Sequence, residues 1–166
     1  MIKKILTIFL FTFSILAQQN SFDQNQLMLA EGYEQKGDLT KAVEILETLN
    51  KKDPGNIQYF NKLNTLYLQL KKYDESVKII NSRISINPQD ISLYGMLGST
   101  YYTSGDRTKA YQVWDDTIDK FKTNQMALRI ISNFVIDRRD FEKAIEYLNR
   151  GKESSQDPFL YSYDLG

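Results

Sequence analysis

The sequence predicts an all-α fold built from tandem helical hairpins, and three observations carry that expectation. Sliding the 166-residue chain against itself by 34 positions brings four segments into register. Within each segment, two stretches place apolar residues three and four apart, the spacing that makes one stripe of a helix. Between the two stretches stand residues that end one helix and begin another: Gly37 and Asp38, Lys71 to Asp74, Gly105 and Asp106, Arg139 and Asp140.

The elements follow in chain order. Lys3 and Lys4 precede twelve residues, Ile5 to Leu16, broken only by Thr7, Thr12 and Ser14, and then come Ala17 and the polar residues Gln18 to Ser21. That three-part layout is the one expected of an export signal over residues 1–17, followed by a polar linker over 18–22. A membrane-spanning helix needs about 20 apolar residues, so stable membrane insertion after cleavage is not expected. Cleavage is expected after Ala17, although Ile15 stands where a second small residue is preferred. Without Cys, no lipid can be attached through a cysteine.

The four units are 23–56, 57–90, 91–124 and 125–158. Leu29, Leu63, Leu97 and Ile131 share one column, and Tyr33, Tyr67, Tyr101 and Val135 share the column four residues later. Ala42, Ser76, Ala110 and Ala144 form a small column in the second helix, followed by Leu46, Ile80, Trp114 and Leu148. Small side chains there let the two helices of a hairpin approach closely. Asp53 to Asn56 close the first unit and Asn87 to Asp90 the second, each with a proline that stops the helix. Gly151 falls inside the last helix and is expected to fray it, at about 1 kcal/mol relative to Ala. Leu165 and Gly166 stand 34 residues after Ile131 and Ser132, so residues 159–166 read as the start of a fifth unit. No capping helix follows, which points to a longer or truncated product and leaves a last apolar stripe through which copies could associate.

On this period, the hairpin unit and the small column, residues 23–158 resemble the tetratricopeptide-repeat family. Asn64, Arg83, Lys122 and Gln156 depart from the family's preferences, the last two at the terminal proline. The resemblance implies a right-handed superhelical solenoid whose concave groove is lined by the first helix of each unit and binds a peptide or helix of another protein. It places in that groove Leu27 and Glu31, then Asn61, Thr65 and Leu68, then Ser99, Tyr102 and Thr103, then Arg129, Asn133 and Ile136. Gln24, Glu34, Gln58, Ser92 and Met126 extend the same faces. This lining is mostly uncharged, which disfavours the family's grip on a terminal carboxylate. Tyr102 and Arg129 are the expected anchors, because an aromatic ring and a guanidinium offer large area and several donors. Trp114 is expected in the core.

Composition closes other routes. Twenty-one basic residues balance twenty-one acidic ones, and the chain without its first 17 residues carries about two net negative charges, so no nucleic-acid partner is expected. With no Cys and no His, thiolate catalysis, the common zinc ligands and the neutral-pH titrating side chain are missing. No catalytic residue, cofactor or metal is assigned. Asp115, Asp116 and Asp119 spell the acidic pattern by which isoprenoid synthases hold magnesium, yet they sit in a second helix of the third unit with no second acidic motif, and read as a solvated face. The expected function is an adaptor in the periplasm or outside the cell. The alternative is a spacer or dimerisation region ahead of an enzymatic or envelope-anchoring domain.

Overall fold

The computed structural model describes residues 21–122, 124 and 126–154. The export signal and the start of a fifth unit both lie outside them. The described residues are all helical or connecting: α1 (21–35), α2 (Leu39–Lys52), α3 (Ile57–Gln69), α4 (Tyr73–Ile86), α5 (Ile91–Ser104), α6 (Arg107–Lys120), α7 (Ala127–Asp137) and α8 (Phe141–Ser154). They group into two compact units that divide within α3, after Leu66.

In the first unit, α1 turns into α2 through Gly37, whose φ of +78° places it in the left-handed region. The turn is a Schellman motif. The Asp38 N–H donates to the Tyr33 carbonyl at 2.9 Å and the Gly37 N–H to Glu34 at 3.0 Å, which satisfies carbonyls left free at the helix end. Asp38 then caps α2 by accepting from the Lys41 N–H. Ala30, Ala42, Val43, Leu46 and Leu49 are buried.

The same turn recurs every 34 residues in the second unit. Lys72, Asp106 and Asp140 donate their N–H groups to Tyr67, Tyr101 and Val135, at 2.8, 3.0 and 3.3 Å. The residue before each has positive φ: +57° at Lys71, +98° at Gly105 and +59° at Arg139. Asp106 and Asp140 cap the following helix by accepting from Lys109 and Lys143 N–H groups, whereas Lys72 provides no side-chain cap. Starts of first helices are equally regular. Asn56, Asp90 and Asn124 side chains accept from Gln58, Ser92 and Met126 N–H groups at 3.0 Å each.

The small column is buried throughout, from 0% exposure at Ala42, Ser76 and Ala110 to 2% at Ala144, and so is the column of Leu46, Ile80, Trp114 and Leu148. At Ser76 the buried hydroxyl lies 3.3 Å from that of Thr100. Trp114 is fully enclosed, and its Nε1–H donates to the Gly95 carbonyl at 3.2 Å. The core of the second unit gathers Ile91, Ala110, Trp114, Ile118, Phe121, Ala127, Ile131, Val135, Ala144 and Tyr147.

One expectation needs correction, and two local features add to the rest. Leu29 was aligned with core residues but is 46% exposed, because no described residue covers its side of α1; Leu63, Leu97 and Ile131 in the same column are 2%, 8% and 0% exposed. Gly151 lies inside α8, which runs on to Ser154. It is buried, 34 residues after the 2%-exposed Thr117, where the lack of a side chain suits close packing. α7 begins at Ala127, two residues later than the 34-residue spacing of the starts of α3 and α5 at 57 and 91. Lys122 stands there in place of the proline, and the Asn124 side chain sets the start instead.

Candidate protein-binding surface

In the first unit, the candidate surface is the face of α1 and of the opening turns of α3. Glu31 and Glu34 both face Lys62, at 3.0 and 3.7 Å, so these acids belong to a small surface ion network. Asn61 and Thr65 are exposed one turn apart, with the Thr65 hydroxyl donating to the Asn61 carbonyl at 2.9 Å. Leu27 is only 9% exposed. Its side chain fills the unit's interior, so the assignment of Leu27 to a binding surface is corrected: periodicity placed it on the right helix but could not tell a lining residue from a packed one.

In the second unit, α5 and α7 carry the surface. Tyr102 is half-buried, and its ring centroid lies 6.0 Å from that of Trp114 and 6.3 Å from that of Tyr111. The guanidinium carbon of Arg107 stands 5.0 Å above the Tyr102 ring. Tyr102 is therefore part core and part surface. Thr103 is exposed, donates to the Ser99 carbonyl at 2.8 Å, and accepts from Arg138 Nη1 at 3.0 Å. Ser99 is half-buried and its hydroxyl oxygen, sealed from solvent, has no hydrogen-bond partner among the described residues. Asn133 is exposed, whereas Leu68, Arg129 and Ile136 are half-buried, Ile136 against the core.

Sequence reasoning passed over Arg107, Tyr111 and Arg138. Arg107 shares its column with Leu39, Tyr73 and Phe141, so a lone charge among apolar residues was the available signal. For Arg138 the column of Lys36, Leu70 and Ser104 is too mixed to give one.

The acidic trio of α6 is tied to α8. Asp115 meets Arg150 at 3.3 Å and Lys143 at 4.0 Å, Asp119 meets Arg150 at 3.9 Å, and Asp116 is exposed. Above this network Tyr111 donates its hydroxyl to Asp140, and that bond, aided by partial burial, pushes the phenol up to about 12. Burial, and after it the nearby Asp115 charge, pushes the Tyr147 phenol up as well; its hydroxyl makes no hydrogen bond of ordinary geometry. Among the described residues no group of His, Cys, Asp and Glu is arranged to hold a metal ion, and no helix is long and apolar enough to cross a membrane. The surface can offer hydrogen bonds, aromatic area and positive charge.

Residues 24–56 and 57–90 each match a tetratricopeptide-repeat family model. A TPR repeat-containing protein of Methanocaldococcus jannaschii is 31% identical over 119 residues, which is 71% of this chain and 21% of that protein. The BBSome complex member BBS4 of Bos taurus is 31% identical over 154 residues, 89% of this chain and 28% of that protein. The chain thus spans about a quarter of the length of these curated relatives. Among solved structures, one of MamA has a TM-score of 0.53 at 18% identity, covering 92% of this chain and 82% of that one. Another, MamA from Desulfovibrio magneticus RS-1, has a TM-score of 0.51 at 18% identity, covering 81% and 77%. At such identity the likeness concerns the fold.

Proposed function

We propose that this chain, which belongs to the tetratricopeptide-repeat family, is an exported interaction module that holds a peptide or helix of a partner protein on the faces of its first helices. A scaffold for protein contacts is the coarse part of that reading, and the repeats with their helical fold support it. One observation carries the finer part: Asn61, Thr65 and Asn133 stay exposed on first helices whose opposite sides are packed. Side chains with no packing role and with donors and acceptors suit recognition of a polar segment. The name of the bovine relative, a member of a multi-protein complex, is in keeping with this role.

Export rests on the amino-terminal pattern of Lys3, Lys4 and Ile5 to Leu16. Mass spectrometry of the mature protein should find Gln18 as its first residue; a chain with intact Met1 recovered only from the cytoplasmic fraction would remove the export claim. The binding claim is tested with the mature chain as bait in an envelope extract of its source. Thr65→Arg with Asn133→Arg should abolish capture of the partner while the circular dichroism spectrum stays unchanged. Undiminished capture would move the binding surface elsewhere.

The relatives' greater length supports a second reading, in which the array is a spacer or dimerisation region beside another domain. Under it the double variant would leave capture intact and alter only the placement or association of that domain.

A further inference from the structure

Two arginines of the second unit lie near the end of α5 without a carboxylate partner among the described residues, although only Arg138, the C-cap of α7, stands at the end of a helix dipole that favours a cation. Arg138 is half-buried at the end of α7, its Nη1 donates only to Thr103, and its Nε is sealed from solvent with no partner. Arg107 is the first residue of α6, the positive end of that helix's dipole, where an acid is favoured and a cation is not. It lies over Tyr102, next in sequence to the Thr103 that Arg138 touches. Among the described residues neither guanidinium forms an ion pair. Asp106 caps α6 and Asp140 accepts from Tyr111 and Lys143, while Asp137, exposed at the end of α7 beside Arg138, forms no ion pair with it.

Arg107 is exposed and keeps its hydration, whereas Arg138 is half-buried and its Nε has lost hydration that no carboxylate among the described residues replaces. Its flat fork of donors matches a carboxylate in two parallel hydrogen bonds, which a single threonine hydroxyl cannot supply.

We infer that the end of α5, with Arg107 and Arg138 on either side of Tyr102 and Thr103, is a subsite for the acidic side chains of a partner protein segment. The inference rests on the proposed binding role and adds the chemistry of the segment. Tyr102, held against Trp114, supplies a fixed aromatic wall beside the carboxylate. Arg138 supplies the fork, and Arg107 the second positive charge.

Fluorescence anisotropy on the mature chain tests this with a labelled ten-residue peptide alternating Glu and Ala, against the same peptide with Gln for Glu. The Glu peptide should bind at least about tenfold more tightly, the scale of one charge-assisted hydrogen-bonded pair. Arg138→Gln and Arg107→Gln should each weaken it about five- to tenfold on the same scale, and Lys36→Gln, an exposed charge in the first unit, should leave it unchanged. Equal binding of the two peptides, no binding of either, or undiminished binding by Arg138→Gln would overturn the inference. So would displacement of the Glu peptide by inorganic phosphate at equal concentration of charge, which would make this a site for simple anions. If the natural partner is captured through Thr65 and Asn133 yet is indifferent to both arginine variants, the binding role stands and the acidic subsite falls.

Discussion

The two hairpins α5–α6 and α7–α8 follow one 34-residue rule and fill it differently. Both close on a residue with positive φ, both cap their second helix with an aspartate, and both bury a small residue, Ala110 or Ala144, between their helices. The first of them is closed by absence of side chains. A Cβ on Gly98 would lie 2.2 Å from Trp114 Nε1, and one on Gly95 would lie 2.2 Å from the Phe134 ring, so each glycine is the seat of an aromatic ring. The second hairpin is covered by charge instead: Lys143 lies over the Tyr111 and Tyr147 rings, and Arg150 bridges Asp115 and Asp119. The period dictates where helices turn and which stripe faces inward, while the filling of the interior is free to vary as long as volume is conserved.

Breaking the glycine seat should have the largest effect. Gly98→Ala gains about 1 kcal/mol of helix propensity, but driving a methyl into a fully buried indole costs more, and a net loss of about 2 kcal/mol is expected in urea denaturation. The same change at Gly95 should cost less, because Phe134 is only half-buried and can yield. A Gly98→Ala variant as stable as the wild type would mean that Trp114 is not seated there.

The turns sharpen the comparison next. Gly105 adopts φ of +98° freely, whereas Arg139 at +59° and Lys71 at +57° carry a Cβ into the left-handed region. Arg139→Gly and Lys71→Gly should each stabilise by about 0.5–1 kcal/mol, the strain relieved outweighing the extra freedom of the unfolded chain, and Gly105→Ala should destabilise by a similar amount. Lys72 is the one cap position of the four without a side-chain acceptor. Lys72→Asp should add about 1 kcal/mol by capping α4 and replacing a cation at the positive end of its dipole. A loss on either substitution would show that the lysine pair at 71 and 72 is held by contacts of its own.

The smallest effect concerns pH. The phenols of Tyr111 and Tyr147 are both raised in the folded state above their ordinary value near 10, Tyr111 to about 12. Their contribution to stability is therefore complete below pH 10 and is lost as pH climbs through 10 to 12 and beyond. Chemical denaturation should show stability flat from pH 8 to 9.5 and falling above 10, with Tyr111→Phe reducing the slope. An unchanged slope would remove the Tyr111–Asp140 bond from the account.

Much of this was legible in sequence because the repeat multiplies each signal by four. The small column, the buried Trp114 and the turn at Gly37, Lys71, Gly105 and Arg139 emerge from alignment of the chain with itself. What alignment could not supply depends on neighbours in space. Leu29 shares a column with core residues and is exposed because burial belongs to what lies opposite, and Leu27 is packed for the same reason. Tyr102 looked like surface until Gly98 of α5 made room for Trp114 beside it. Arg107 and Arg138 acquire meaning only from the carboxylates they lack, which no spacing reveals. The late start of α7 follows from a missing proline that was visible, although the two-residue consequence was not.

The central claim is that partners are recognised on the faces of the first helices. A photo-crosslinking amino acid placed in the mature chain at Asn133, on α7, or at Asp116, on the outer side of α6, tests it most directly, both positions being exposed. The account expects a partner adduct from Asn133 and none from Asp116. Adducts from Asp116 alone, or equally from both, would contradict it.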